Sequence, residues 1–168
     1  AIGAYASSQI LDSREAYASE AAAFKSQGWK AYKIHPPQNP AEDIKVCETV
    51  RRAVGDDFPL MLDATWSYRY HDAVRVGRAI ERLAFLWYED PLNEEDIYAY
   101  VKLKQKLDIP IMATEYPSGD IGTYAVWLTE RATEMESSVF TGVSAWHWLS
   151  RKVVKSWRPT SRCAASCM

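Results

Sequence analysis

A chain of 168 residues with 48% hydrophobic and 25% charged side chains has the size and balance of one folded domain rather than a disordered segment. Its formal net charge of −2 argues against a general nucleic-acid binder, and no apolar run approaches the roughly 20 residues needed to span a bilayer. The first ten residues lack the basic start and apolar stretch of a signal peptide, and the three cysteines, Cys47, Cys163 and Cys167, form no disulfide framework, so a reducing, cytoplasmic setting is expected.

Along the chain, short apolar runs alternate with amphipathic stretches. Ile2 to Ala6 suits a strand. Ser13 to Gln27 is a helix capped by Asp12 or Ser13 and ended by Gly28. Trp29 to His35 is a second strand, stopped by Pro36 and Pro37. Asn39-Pro40 opens a helix that runs to about Val54, where Gly55 closes it. Pro59 to Asp63 is a third strand, and a helix from His71 or Asp72 to about Leu83 follows. Ala84 to Tyr88 is a fourth strand. Asn93 to Leu107 is a helix with Glu94, Glu95 and Asp96 near its positive end. Ile109 to Ala113 is a fifth strand, with a helix from Ile121 to about Thr133 after it.

Five strand–helix units in strict alternation predict an α/β fold with a parallel sheet and outer helices. The strands are apolar throughout, as burial on both faces requires. On pattern alone a partial (β/α)₈ barrel and an open doubly wound sheet are both possible. No Gly-rich phosphate loop opens any of the helices, which weighs against nucleotide-binding versions.

The character of the chain changes near residue 135. Residues 1–134 hold 21 acidic and 15 basic side chains, whereas residues 135–168 hold one acid against five bases, with three of the seven tryptophans. The division is therefore a partial barrel over 1–134 and a basic, Trp/Ser-rich segment over 135–168. That segment reads as a disordered tail, out-of-frame translation, or a strand and helix of unusual sequence. Cys163 and Cys167 lack the second Cys or His pair that a zinc site needs.

Asp63, Glu89 and Glu115 each close a predicted strand, and the interval between successive members is 26 residues both times. One β–loop–α–loop unit has that length, so the three carboxylates would meet at one mouth of a parallel array, where such folds place their sites. Converging carboxylates repel one another unless a cation joins them. An oxygen-only set favours Mg²⁺ or Mn²⁺. The plainer alternative is that each acid caps the helix after it. One unit earlier, Lys33 and His35 end the second strand two residues apart and so share one face. A Lys beside another cation titrates low and can act as a base.

These residues also carry a resemblance. Gly28-Trp29-Lys30-Ala31-Tyr32-Lys33-Ile34-His35 resembles the second-strand Lys-x-Lys motif of the mandelate racemase-like branch of the enolase superfamily. Leu62-Asp63-Ala64-Thr65 resembles its Asp-x-Asn, Tyr88-Glu89-Asp90-Pro91-Leu92 its Glu-(Asp/Glu)-Pro, and Ala113-Thr114-Glu115 the Glu that ends the fifth strand. The match keeps register over about residues 1–134. His35 stands where the family has Lys, and Thr65 where it has Asn.

The resemblance implies a Mg²⁺-dependent enzyme that removes the proton α to a carboxylate through an enediolate. Asp63, Glu89 and Glu115 would hold the metal, and Lys33 and His35 would be the candidate catalytic groups. The implied substrate is a small hydroxy acid or sugar acid and the implied outcome dehydration, with racemisation or an inactive fragment as alternatives. The family's N-terminal capping domain, its second catalytic group and its last strands have no counterpart here. A five-unit array leaves two open edges, which invite pairing with another chain, a second copy included.

Overall fold

The computed structural model describes residues 4–93, 95–113, 121–133 and 135–136. Helix boundaries follow the local chemistry of the sequence. In α1 (Arg14–Ser26), the Ser13 side chain accepts from the Ala16 N–H. In α2 (Pro40–Val54), Asn39 accepts from Ala41 and Glu42, and Gly55 ends the helix at φ 77°. These contacts satisfy N–H groups that have no partner inside the helix.

Helix α3 (Tyr70–Arg82) starts a residue before the expected His71 and has no side-chain cap. Helix α4 (Ile97–Lys104) starts four residues later than expected and stops sooner. Asn93 Oδ1 accepts from the Glu95 N–H in a separate turn, and Asp96 is the cap, accepting from Ala99. Glu95 and Asp96 thus lie before the helix, not inside its first turn. Helix α5 spans Ile121–Thr129.

The strands are shorter than the apolar runs that contain them: β1 (Ala6–Ser7), β2 (Tyr32–Ile34), β3 (Leu60–Asp63), β4 (Tyr88–Glu89) and β5 (Ile111–Ala113). A sixth, β6 (Met135–Glu136), pairs with β5 one step past the point where the sequence pattern changes. The expectations for the remaining segment, including Cys163 and Cys167, lie outside the described residues. Among the described residues no helix is long and apolar enough to cross a membrane.

Every neighbouring pair is parallel, and the strand order is β1-β2-β3-β4-β5-β6. This separates the two architectures that the sequence left open. A doubly wound sheet reverses direction at a switch point and breaks sequential order; winding always onto the next neighbour is how a (β/α)₈ barrel is built.

Alternation along the strands creates two cores. Tyr32, Ile34, Leu60, Leu62, Tyr88, Ile111 and Ala113 face the helices, with Val46, Val50, Val76, Ile80 and Leu103 packed among them. On the other face Ala31, Met61, Trp87 and Met112 form a second cluster with Tyr5 and Leu86. The next inward positions along β2, β3 and β4 are Lys33, Asp63 and Glu89, so charged groups crown the inner apolar layer.

Candidate active site at the strand ends

Lys33, Asp63 and Glu89 come from three adjacent strands and are all buried. The register pairs Asp63 with Glu89 and sets Lys33 level with Met61. Lys33 Nζ lies 2.8 Å from Asp63 Oδ2 and 3.1 Å from Glu89 Oε1. One ammonium therefore bridges two carboxylates that would otherwise repel each other in a low-dielectric site. Burial acts to lower the Lys33 pKa, but Glu89 and Asp63 outweigh it and raise it above the ordinary lysine value. Lys33 thus stands between anions rather than beside a cation, and the lowered pKa expected for it is not what this arrangement produces.

The two acids titrate apart. Burial pushes Asp63 up, but the His35 hydrogen bond and the Lys33 charge prevail and hold it below the usual carboxylate range. Burial and then the Asp63 charge raise Glu89, against the opposing pull of Lys33 and Trp87.

His35 follows β2 and is half-buried. Its Nε2 is 3.0 Å from Asp63 Oδ2, and its Nδ1 is 2.8 Å from the Ser8 carbonyl oxygen. A carbonyl only accepts, so Nδ1 carries a proton, and Nε2 is the lone-pair atom of the neutral ring. Facing a carboxylate as well, the ring favours the imidazolium form: the Asp63 hydrogen bond raises its pKa, with burial opposing. The backbone is fixed too, since His35 N–H donates to Ser8 Oγ at 2.9 Å and Tyr17 Oη donates to the His35 carbonyl at 2.7 Å.

The capping alternative fails for both described acids. Asp63 Oδ1 accepts from the Thr65 N–H at 3.1 Å, well before α3 begins, and α4 is capped by Asp96. The turn after Asp63 requires left-handed backbone at Thr65 (φ 49°) and Trp66 (φ 58°), and Asp90 after Glu89 is at φ 41°. A β-branched Thr in that region is strained, and such strain clusters where a site imposes it.

Two of the three expected metal ligands therefore converge. The third, Glu115, lies outside the described residues, and among the described residues no group of three His, Cys, Asp or Glu side chains is placed to hold a metal ion. The sequence reading missed Ser8, Tyr17 and Trp87. Trp87 Nε1 donates to Glu89 Oε2 at 3.0 Å. Its signal was present: it precedes Glu89 by two residues, as Lys33 precedes His35.

Residues 16–135 match the family described as enolase C-terminal domain-like. The chain belongs to this family. Over 77 residues it is 43% identical to the L-talarate/galactarate dehydratase of Salmonella typhimurium, a stretch covering 46% of this chain and 19% of that protein. Over 110 residues it is 32% identical to the D-galactarolactone cycloisomerase of Agrobacterium fabrum, covering 66% of this chain and 28% of that one. The crystal structure of D-glucarate dehydratase from Agrobacterium tumefaciens complexed with magnesium superposes with a TM-score of 0.76 at 33% identity, over 80% of this chain and 39% of that one. Racemases and epimerases also occur among the family's relatives of this chain. The fold is part of the family's (β/α)₈ barrel, and the chain spans less than two fifths of the length of each of these three proteins.

Proposed function

We propose that this chain supplies the cation site and a base of an enzyme that removes the proton α to the carboxylate of a sugar acid or hydroxy acid, with loss of the β-hydroxyl as water. The observation that carries this reading is the meeting of Lys33, His35, Asp63 and Glu89 at one end of three neighbouring strands. The dehydratases among the relatives support it.

Asp63 and Glu89 fit Mg²⁺, or Mn²⁺ by the same donor chemistry. They are hard anionic oxygens, both buried, and both already directed at one positive charge. Glu115 would join them on the strength of its 26-residue interval. When bound, the ion supplies positive charge to stabilise an enediolate, the electrostatic aid that so weak a carbon acid needs.

The protein's own groups divide the remaining work. Lys33 keeps its charge, gives up its place between the carboxylates to the ion, and adds positive potential at the mouth. His35 takes the proton at Nε2, because Ser8 keeps Nδ1 occupied. Substrate binding must loosen the contact of Nε2 with Asp63 Oδ2, since only the neutral ring accepts.

The test is a panel of sugar acids and hydroxy acids incubated with the chain and Mg²⁺ in D₂O. Solvent deuterium should enter at the α-carbon, a 2-keto acid should form with the true substrate, and His35→Asn should abolish both. Deuterium with inversion and no keto acid would favour the racemase reading that relatives also support. Mg²⁺ binding without exchange on any substrate would overturn the role of His35 as base.

A further inference from the structure

We propose that Trp87 is the positioning residue of Glu89, its indole N–H holding Oε2 so that Oε1 alone is offered to a cation at the mouth. The inference rests on the metal reading above. Trp87 immediately precedes β4 and Glu89 ends it, two residues apart and so on the same face, and Nε1 lies 3.0 Å from Oε2. The indole is 1% exposed. Its ring meets Tyr5 edge-on at 5.7 Å and is packed with Ala31, Met61 and Met112 in the inner layer. The ring is enclosed by these packed side chains.

The two Glu89 oxygens are therefore held by unlike partners. Oε2 faces a neutral donor fixed in a packed core, and an indole N–H neither ligates a metal nor gives up its proton. Oε1 faces Lys33 Nζ at 3.1 Å, a charge on a long side chain with several rotatable bonds. An ion drawn to Asp63 and Glu89 displaces the ammonium and leaves the indole in place. Glu89 would then offer Oε1 to the ion, because Trp87 keeps Oε2 engaged.

Trp87→Phe keeps an aromatic ring in the core and removes the donor together with the indole's second ring, so its melting temperature is read beside its affinity. In calorimetric titration of the full chain with MgCl₂, the variant should bind about tenfold more weakly than wild type, the scale of losing a group that orients a metal ligand. A purely structural role would lower the melting temperature and leave the dissociation constant unchanged. The second measurement uses ¹⁵N-labelled wild type, in which the Trp87 indole resonance is the one of seven that Glu89→Gln shifts. That resonance should stay protected from solvent exchange at saturating Mg²⁺.

Equal affinity of Trp87→Phe and wild type would overturn the proposal, as would loss of the indole's protection when Mg²⁺ binds. If Trp87→Phe does not fold, the wild-type resonance decides alone in the same way. Absence of any Mg²⁺ binding by wild type would remove the metal reading itself, an outcome distinct from a wild type that binds and a variant that binds equally well.

Discussion

Lys33 and Asp63 meet across β2 and β3 with Nζ 2.8 Å from Oδ2, and the same ammonium reaches Glu89 Oε1 at 3.1 Å. The lysine occupies the ground between two carboxylates where a divalent cation would sit. Removing it leaves two buried negative groups facing each other, a change that typically costs about 3 kcal/mol or more. Lys33→Met should therefore lose about that much stability to urea in metal-free buffer at pH 7.5. Mg²⁺ should restore a larger share of stability in the variant than it adds to wild type, because the ion no longer competes with an ammonium. A variant as stable as wild type without metal would contradict the bridging role.

Arg51 looks in the sequence like one of two basic residues in the last turn of α2, but it is buried. Its guanidinium donates to the carbonyls of Leu83, Gly55, Phe58 and Ala84, tying the end of α2 to the turns leading into β3 and β4. Ala84 is held there at φ 53°. Arg51→Met should lose roughly 3 kcal/mol in chemical unfolding, since several buried carbonyls lose their donor. Arg51→Lys should recover little, because one ammonium cannot reproduce the planar fork.

Asp43 gives a pH dependence with a definite sign. It is fully buried in α2, accepts a hydrogen bond from Tyr68 Oη, and burial raises its pKa to about 6, with that bond opposing. In the unfolded chain it titrates near the ordinary value of about 4. Between those values the folded form binds more protons, so this group's contribution to stability falls as pH rises through about 4 to 6 and is level above. Asp43→Asn keeps an acceptor for Tyr68 and removes the titration. The stability of wild type relative to this variant should drop by roughly 2–3 kcal/mol between pH 4 and pH 7 in urea unfolding. A pH-independent difference would refute the assignment.

Thr65 stands at φ 49° in the turn that returns its N–H to Asp63. Asn adopts that backbone region more readily than a β-branched residue. Thr65→Asn should therefore raise stability by about 0.5–1 kcal/mol, read as a melting temperature higher by a few degrees. A lower melting temperature would show that the Thr65 hydroxyl matters more than its strain.

Much of this was legible in the sequence because it depends on local rules. Asn39, Pro40 and Gly55 set the ends of α2 without reference to the rest of the fold. Strand alternation placed Lys33 beside His35, and one repeat length brought Asp63 to Glu89. What escaped depends on partners distant in sequence. The depth at which Arg51 is buried is decided by the turns it clamps, and Ser8 matters only because β1 lies beside β2. The late start of α4 turned on Asn93 forming its own turn, which left Asp96 as the cap. The direction of the Lys33 shift needed the knowledge that its nearest charges are anions.

Whether Asp63 and Glu89 hold a cation together is tested by thermal melting of wild type, Asp63→Asn and Glu89→Gln across a MgCl₂ titration. A ligand that binds only the folded state stabilises it by about 2.7 kcal/mol at 100 times its dissociation constant. Wild type should show a saturable rise of several degrees and either variant none. A rise of equal size in all three proteins, or no rise in wild type, would contradict a cation site shared by these two residues.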